Sequence, residues 1–190
     1  SMAVGGHGHS HGKMAECKFK NSLKGTVKIH FTNDNETDTM FMGSITNLAE
    51  GIHGFHVHEN GDLGNACKNA GGHYNPNKKD HGDLGAPVRH EGDFGNIVAD
   101  KTKTAKISIT SKNTNLNKLI GRSIVIHEKD DDLGKGGKDD SLTTGAAGSR
   151  LDCCIIDWDA DTKKMMNSSA ARFSLSSIFG VCLLVVFLTL

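Results

Sequence analysis

Eight short runs with strand character, separated by turn residues, limit this chain to an all-β fold. In "KIHF", "FMGSIT" and "AKISIT" the apolar side chain recurs at every second position, which is the period of a strand with one buried face. The runs are Ala15–Lys20, Thr26–Thr32, Thr39–Asn47, Gly54–Glu59, Gly95–Asp100, Ala105–Ser111, Ser123–Ile126 and Cys153–Ile156. No stretch among them keeps a 3.6-residue apolar period, so they predict a sandwich or a Greek-key barrel rather than a helical domain. The 23 glycines against two prolines agree, since many turns must separate many strands. Two gaps break the rhythm, 60–94 and 129–149. Long irregular segments in a compact domain are usually functional or need an internal clamp, and both are dense in Gly, Asp, Lys and His.

The length of 190 residues suits one domain with appendages: a leader over 1–14, a domain over 15–160, and a linker with an apolar tail over 161–190. A formal net charge of zero argues against a nucleic-acid partner. In the leader, Ser1-Met2 reads as a cloning remnant, and His7, His9 and His11 alternate with small residues. That pattern fits either a disordered tag-like tail or a flexible arm that captures copper or zinc. At the other end "IFGVCLLVVFLTL", Ile178 to Leu190, is uncharged and shorter than the roughly 20 residues a membrane-spanning helix needs. Small residues at Asn167, Ser168 and Ser169, a polar spacer and this tail match the signal for glycosylphosphatidylinositol (GPI) attachment, with Asn167 or Ser168 as the anchored residue. The rivals are a short tail anchor or a helix packed on the domain. An anchor places the protein outside the cell or on its outer surface, the alternative being the cytoplasm. The sequon Asn35-Glu36-Thr37 fits secretion.

In "GFHVHENGD" the histidines His56 and His58 stand two apart, so a strand sets both imidazoles on one face, with Phe55 and Val57 on the other. Alone, such a pair is more often a surface feature than a metal site. The first long gap adds His73, His81, His90 and Asp93, and the second opens at His127. Imidazole suits copper and zinc, and a carboxylate oxygen suits zinc. Six histidines and one aspartate are too many for a tetrahedral site. They suffice for two sites of four ligands if one histidine serves both, one metal at each ring nitrogen.

"GFHVHENGD", "AGGHYNP", "RHEGDFGN", "GRSIVIHEKDDDLGKGG" and "GAAGSRLDC" resemble, in order and spacing, the motifs of the copper/zinc superoxide dismutases. The resemblance runs from about Cys17 to Trp158. It implies an eight-stranded antiparallel Greek-key β-barrel, an immunoglobulin-like sandwich closed on itself, with a long zinc loop and an electrostatic loop. It implies copper at His56, His58, His73 and His127, and zinc at His73, His81, His90 and Asp93, with His73 as the bridging imidazolate. Asp131 matches the carboxylate that links the outer nitrogens of His56 and His81, while His53 reads as structural. The implied reaction is disproportionation of superoxide to oxygen and hydrogen peroxide, with copper alternately reduced and reoxidised and His73 carrying a proton.

Arg150 matches the arginine that attracts the small anion above the copper. Lys129, Asp139 and Asp140 match positions whose charges steer superoxide, but Thr143 stands where lysine is common. The resemblance pairs Cys67 with Cys153 in a disulfide. Cys154 then reads as a free buried thiol, Cys17 as a free hydrophobe in the first strand, and Cys182 as part of the tail. A homodimer joined near the last strand is implied, with Asp157 and Trp158 at its seam, and a copper chaperone would load the metal. A copper- or zinc-carrying protein on the same fold is the rival function. Carriers of that kind lose a copper ligand and add an MxCxxC domain, whereas this chain keeps every ligand and Arg150.

Overall fold

The computed structural model describes residues 12–169. The histidines at 7, 9 and 11 and the apolar tail with Cys182 lie outside the described residues. All eight runs form strands: β1 (Met14–Phe19), β2 (Lys24–Phe31), β3 (Thr39–Thr46), β4 (Gly51–His58), β5 (Asp93–Ala99), β6 (Thr104–Ser111), β7 (Ser123–His127) and β8 (Arg150–Trp158). They close into an antiparallel barrel in the order β1-β2-β3-β6-β5-β4-β7-β8. The jumps from β3 to β4 and from β6 to β7 are the Greek-key crossings. Closure leaves no sheet edge for another chain to pair with.

Alternation fills the barrel. Phe41 packs at a tilt on Phe94, with ring centroids 4.4 Å apart, and meets Phe55 edge-on at 6.0 Å, with Ile29, Ile45, Ile124, Ile126 and Ile156 fully buried around them. Each such side chain stabilises the fold by about 1.5–3 kcal/mol. From His53 onward β4 is buried on both faces, as is the adjacent β7 along its length. The inner face of β4 is core, and its outer face is covered by the loop over 59–92. That loop is sewn on through Tyr74 N–H to Val57 O at 2.8 Å, Val57 N–H to Gly92 O at 2.9 Å and Gly92 N–H to Tyr74 O at 2.9 Å. At Gly92 a Cβ would collide with the Val57 carbonyl, so this close approach requires glycine.

The strand bounds differ from the sequence reading where hydrogen bonding outruns side-chain pattern. β4 starts at Gly51, paired with Ala99, so His53 lies within it. β8 starts at Arg150, which pairs with His127 across a bulge. The second gap also holds a single helical turn, α1 (Ser141–Thr144), too short to leave an apolar period in the sequence.

The cysteines correct the sequence reading. Cys67 bonds Cys153, but Cys17 and Cys154 are not free: they form a second disulfide with Cα atoms 5.5 Å apart. Alternation along β8 explains it, because Cys154 shares a face with Asp152 and Ile156 rather than with Cys153. On that face β8 meets β1, and Cys17 is the buried residue opposite. Residues 158–169 form a separate compact unit. It is helical over 160–169, where a linker was expected, with Asp159 Oδ1 accepting the Thr162 N–H at 2.8 Å as an N-cap. Among the described residues no helix is long and apolar enough to cross a membrane.

Candidate metal centre

β4 presents His56 and His58 outward, β7 ends on His127, and the 59–92 loop brings back His73, His81 and His90, with Asp93 opening β5. All seven are buried. The rings of His56, His58 and His127 are each held by one nitrogen, which determines where the other points. His58 Nδ1 lies 2.9 Å from Gly71 O, and His127 Nδ1 lies 3.4 Å from Gly148 O. His56 Nε2 lies 2.9 Å from Asp131 Oδ2. Their remaining nitrogens converge, with His58 Nε2 3.3 Å from His127 Nε2. Among the described residues, buried His56 Nδ1 and His73 Nε2 have no hydrogen-bond partner.

A second convergence adjoins the first. Asp93 Oδ1 lies 2.8 Å from His73 Nδ1, 2.9 Å from His81 Nδ1 and 3.1 Å from His90 Nδ1. Tetrahedral ligands about 2.0–2.1 Å from a zinc ion stand about 3.3 Å from one another, so these spacings suit such a site. His73 belongs to both groups, with Nδ1 on the aspartate side and Nε2 on the other. His56, His58, His73 and His127 can share one ion, and so can His56, His73, His81 and Asp93. The second grouping takes His56 where the sequence reading has His90, whose Nδ1 stands 3.3 Å from His73 Nδ1. With Nδ1 of His56 needed by the first group, His90 is the better fourth donor for the second.

Asp131 spans the two groups, accepting from His56 Nε2 at 2.9 Å and lying 2.7 Å from His81 Nε2. It is itself fixed by Asn96, whose amide donates to Asp131 O and accepts Asp131 N–H, both at 2.8 Å. A Cβ at Gly145, which has φ +65°, would strike both the Asp131 carboxylate and His81. Arg89 supports the other side: Nη1 donates to His90 O at 2.8 Å and to Asp93 O at 3.2 Å, and Nη2 to Ser111 Oγ at 3.3 Å. Asn96 and Arg89 escaped sequence reasoning. Arg89 directly precedes a candidate ligand, but Asn96 sits in a strand with no such cue. His53, read as structural, clasps His127 O and Ala49 O, each at 2.9 Å.

Burial governs the electrostatics. Burial and then repulsion from His56 hold His73 down at about 3 and His127 at about 2, and burial likewise lowers His58. Burial also opposes charge on His81, but its contacts with Asp131 and Asp93 outweigh that and raise it to about 9. Asp93 and Asp131 are lowered despite burial, because histidines surround them. Neutral imidazoles beside ionised carboxylates are what a divalent cation binds, and at His81 the cation would displace the proton that the two carboxylates favour.

One opening of about 430 Å³ reaches the first group, lined by His58, His73, His127, Asp140, Thr143 and Arg150 among others. Arg150 is held by three carbonyls of the loop: Nη1 donates to Cys67 O at 2.6 Å and Lys68 O at 3.3 Å, and Nη2 to Gly71 O at 2.5 Å. The Gly71 carbonyl also holds His58. Asp140 lines the opening, whereas Lys129 and Asp139 are exposed but not part of its lining.

The profile of the "Copper/zinc superoxide dismutase" family matches residues 23–156. The chain is 53% identical over 127 residues to "Superoxide dismutase [Cu-Zn] 5" of Dictyostelium discoideum, covering 65% of this chain and 84% of that one. It is 49% identical over 141 residues to an "Extracellular superoxide dismutase [Cu-Zn]" of Brugia pahangi, covering 71% and 69%. Among solved structures, the crystal structure of the clock protein EA4 superposes with a TM-score of 0.72 at 37% identity, covering 80% of this chain and 98% of that one.

Proposed function

The chain belongs to the copper/zinc superoxide dismutase family, and from that premise we propose that it dismutes superoxide at paired copper and zinc sites. His56 Nδ1 with the Nε2 atoms of His58, His73 and His127 would hold copper. The Nδ1 atoms of His73, His81 and His90 with Asp93 Oδ1 would hold zinc. Copper supplies one-electron reduction and oxidation when bound, and zinc supplies a fixed positive charge without redox change. The carrying observation is the position of His73, whose two nitrogens face two separate donor groups.

The chain's own residues then have distinct tasks. Arg150 draws the anion into the opening and orients it by charge and by its free donors. His73 Nε2 carries a proton to the reduced oxygen species, while Nδ1 stays on the zinc side. Asp131 fixes the tautomers of His56 and His81 so that their inner nitrogens face metal. Asp140 and the exposed Lys129 and Asp139 shape the field outside. The test is superoxide consumption by metal-loaded chain against His127→Ala and Arg150→Ala. Both variants are expected to lose activity, His127→Ala nearly all of it, and an unchanged rate in His127→Ala would sink the assignment.

The protein works outside the cell or at its outer surface. Two disulfides and extracellular relatives support that reading. The pattern over 167–190 supports a GPI anchor. A homodimer is supported by the exposed apolar residues Leu151 and Ile155 of β8.

A further inference from the structure

We propose that Asn35, in the turn between β2 and β3, is an acceptor for an N-linked glycan. The proposal rests on the extracellular reading above. The sequon Asn35-Glu36-Thr37 provides the amide and the hydroxyl two residues on that such transfer requires. The amide nitrogen of Asn35 attacks the anomeric carbon of a lipid-pyrophosphate-linked oligosaccharide. The new bond joins Nδ2 to that carbon, the carbon–oxygen bond to pyrophosphate breaks, the lipid pyrophosphate leaves, and Nδ2 gives up one proton.

The folded turn keeps room for the product. Thr32 N–H to Asp38 O at 2.9 Å closes it. Asn33 Oδ1 accepts the Thr37 N–H at 3.0 Å, and Asn33 Nδ2 donates to Thr37 Oγ1 at 2.8 Å. The Glu36 carboxylate takes Lys13 Nζ at 2.9 Å and Asn117 Nδ2 at 3.0 Å. Asp38 Oδ1 accepts the Asn113 N–H at 3.0 Å. The residues on either side are thus tied down. Asn35 is exposed, and its amide has no hydrogen bond among the described residues. A glycan there displaces no packed contact, and no residue of the turn lines the opening to the metal centre. Asn167-Ser168-Ser169 is a second sequon by sequence, but in the folded chain both of its serine hydroxyls donate to Met165 O, at 2.8 and 3.0 Å.

The full chain is fused to a heterologous signal peptide and secreted from a eukaryotic host. It is then treated with peptide N-glycosidase and mapped by mass spectrometry. The expected result is an enzyme-sensitive glycan on Asn35, lost in Asn35→Gln and Thr37→Ala, kept in Thr37→Ser, with dismutase activity unchanged in Asn35→Gln. A secreted, active chain with unmodified Asn35, or a glycan that persists in Asn35→Gln because it sits on Asn167, overturns the proposal. An unmodified chain from native cells beside a modified fusion supports the acceptor and overturns the extracellular reading instead.

Discussion

Breaking the Cys17–Cys154 bond tests whether covalent closure of the β1–β8 seam stabilises the barrel. Taken alone, a bond across 137 residues would remove loop-closure entropy worth about 5 kcal/mol. Cys67–Cys153 already ties the same region, however, so the loop closed by the second bond runs only over 17–67 and back through 153–154. With about 50 residues in that loop the entropy term falls to about 4 kcal/mol. For a chain of this size that is about 8–16 °C in melting temperature. Urea denaturation of the metal-free protein is the assay, since bound metal would add its own stabilisation. Cys17→Ala and Cys154→Ala each abolish the crosslink, so either single variant should lose nearly as much as the double. Packing losses would instead add, because each side chain would be removed separately. Additive single effects, or a double variant within about 0.5 kcal/mol of the parent, would refute the reasoning.

Replacing Thr143 with Lys adds a cation to an opening whose lining otherwise carries only Arg150 against Asp140. The dismutation rate should rise several-fold at low ionic strength and return to the parent's near 1 M salt, where the Debye length is about 3 Å; stopped-flow kinetics at several salt concentrations reads it. Arg89→Ala frees the carbonyls of His90 and Asp93 and should weaken zinc binding about 10–100-fold, measured by chelator competition. The metal-free chain should be most stable near pH 6.5. Below that, the unfolded chain takes up protons that His73, held at about 3, and His127, held at about 2, refuse, so stability falls as pH drops. The contribution of His81, raised to about 9, is complete below about 6.5 and is lost as pH rises toward 9. Unfolding midpoints flat from pH 4 to pH 9 would contradict the buried charge arrangement.

The barrel was legible because alternation survives in the sequence wherever a strand has one wet face, as in β3 and β6. Of the seven proposed metal ligands, His56, His58 and His127 were legible because histidine is uncommon in apolar runs, and the other four because their spacing matches a known family. Asn96 and Arg89 were hidden because they grip backbone atoms, Asn96 those of the distant Asp131 and Arg89 those of the nearby His90 and Asp93, and no spacing rule marks such contacts. The second disulfide was hidden for the opposite reason. Adjacent cysteines look redundant in a string of letters, whereas in β8 they face opposite sides. The helix over 160–169 left no apolar period to read, since only Thr162 is buried along it, although Lys and Met are good helix formers.

The Gly71 carbonyl that receives both His58 Nδ1 and Arg150 Nη2 acts as a common datum. Any displacement of that carbonyl would carry the imidazole and the guanidinium along together, so their separation would change less than either position. The spacing between the electron-accepting end of the site and its anion-gathering end is thereby insulated from loop motion. A segment outside the barrel can then frame a reaction that tolerates little misalignment.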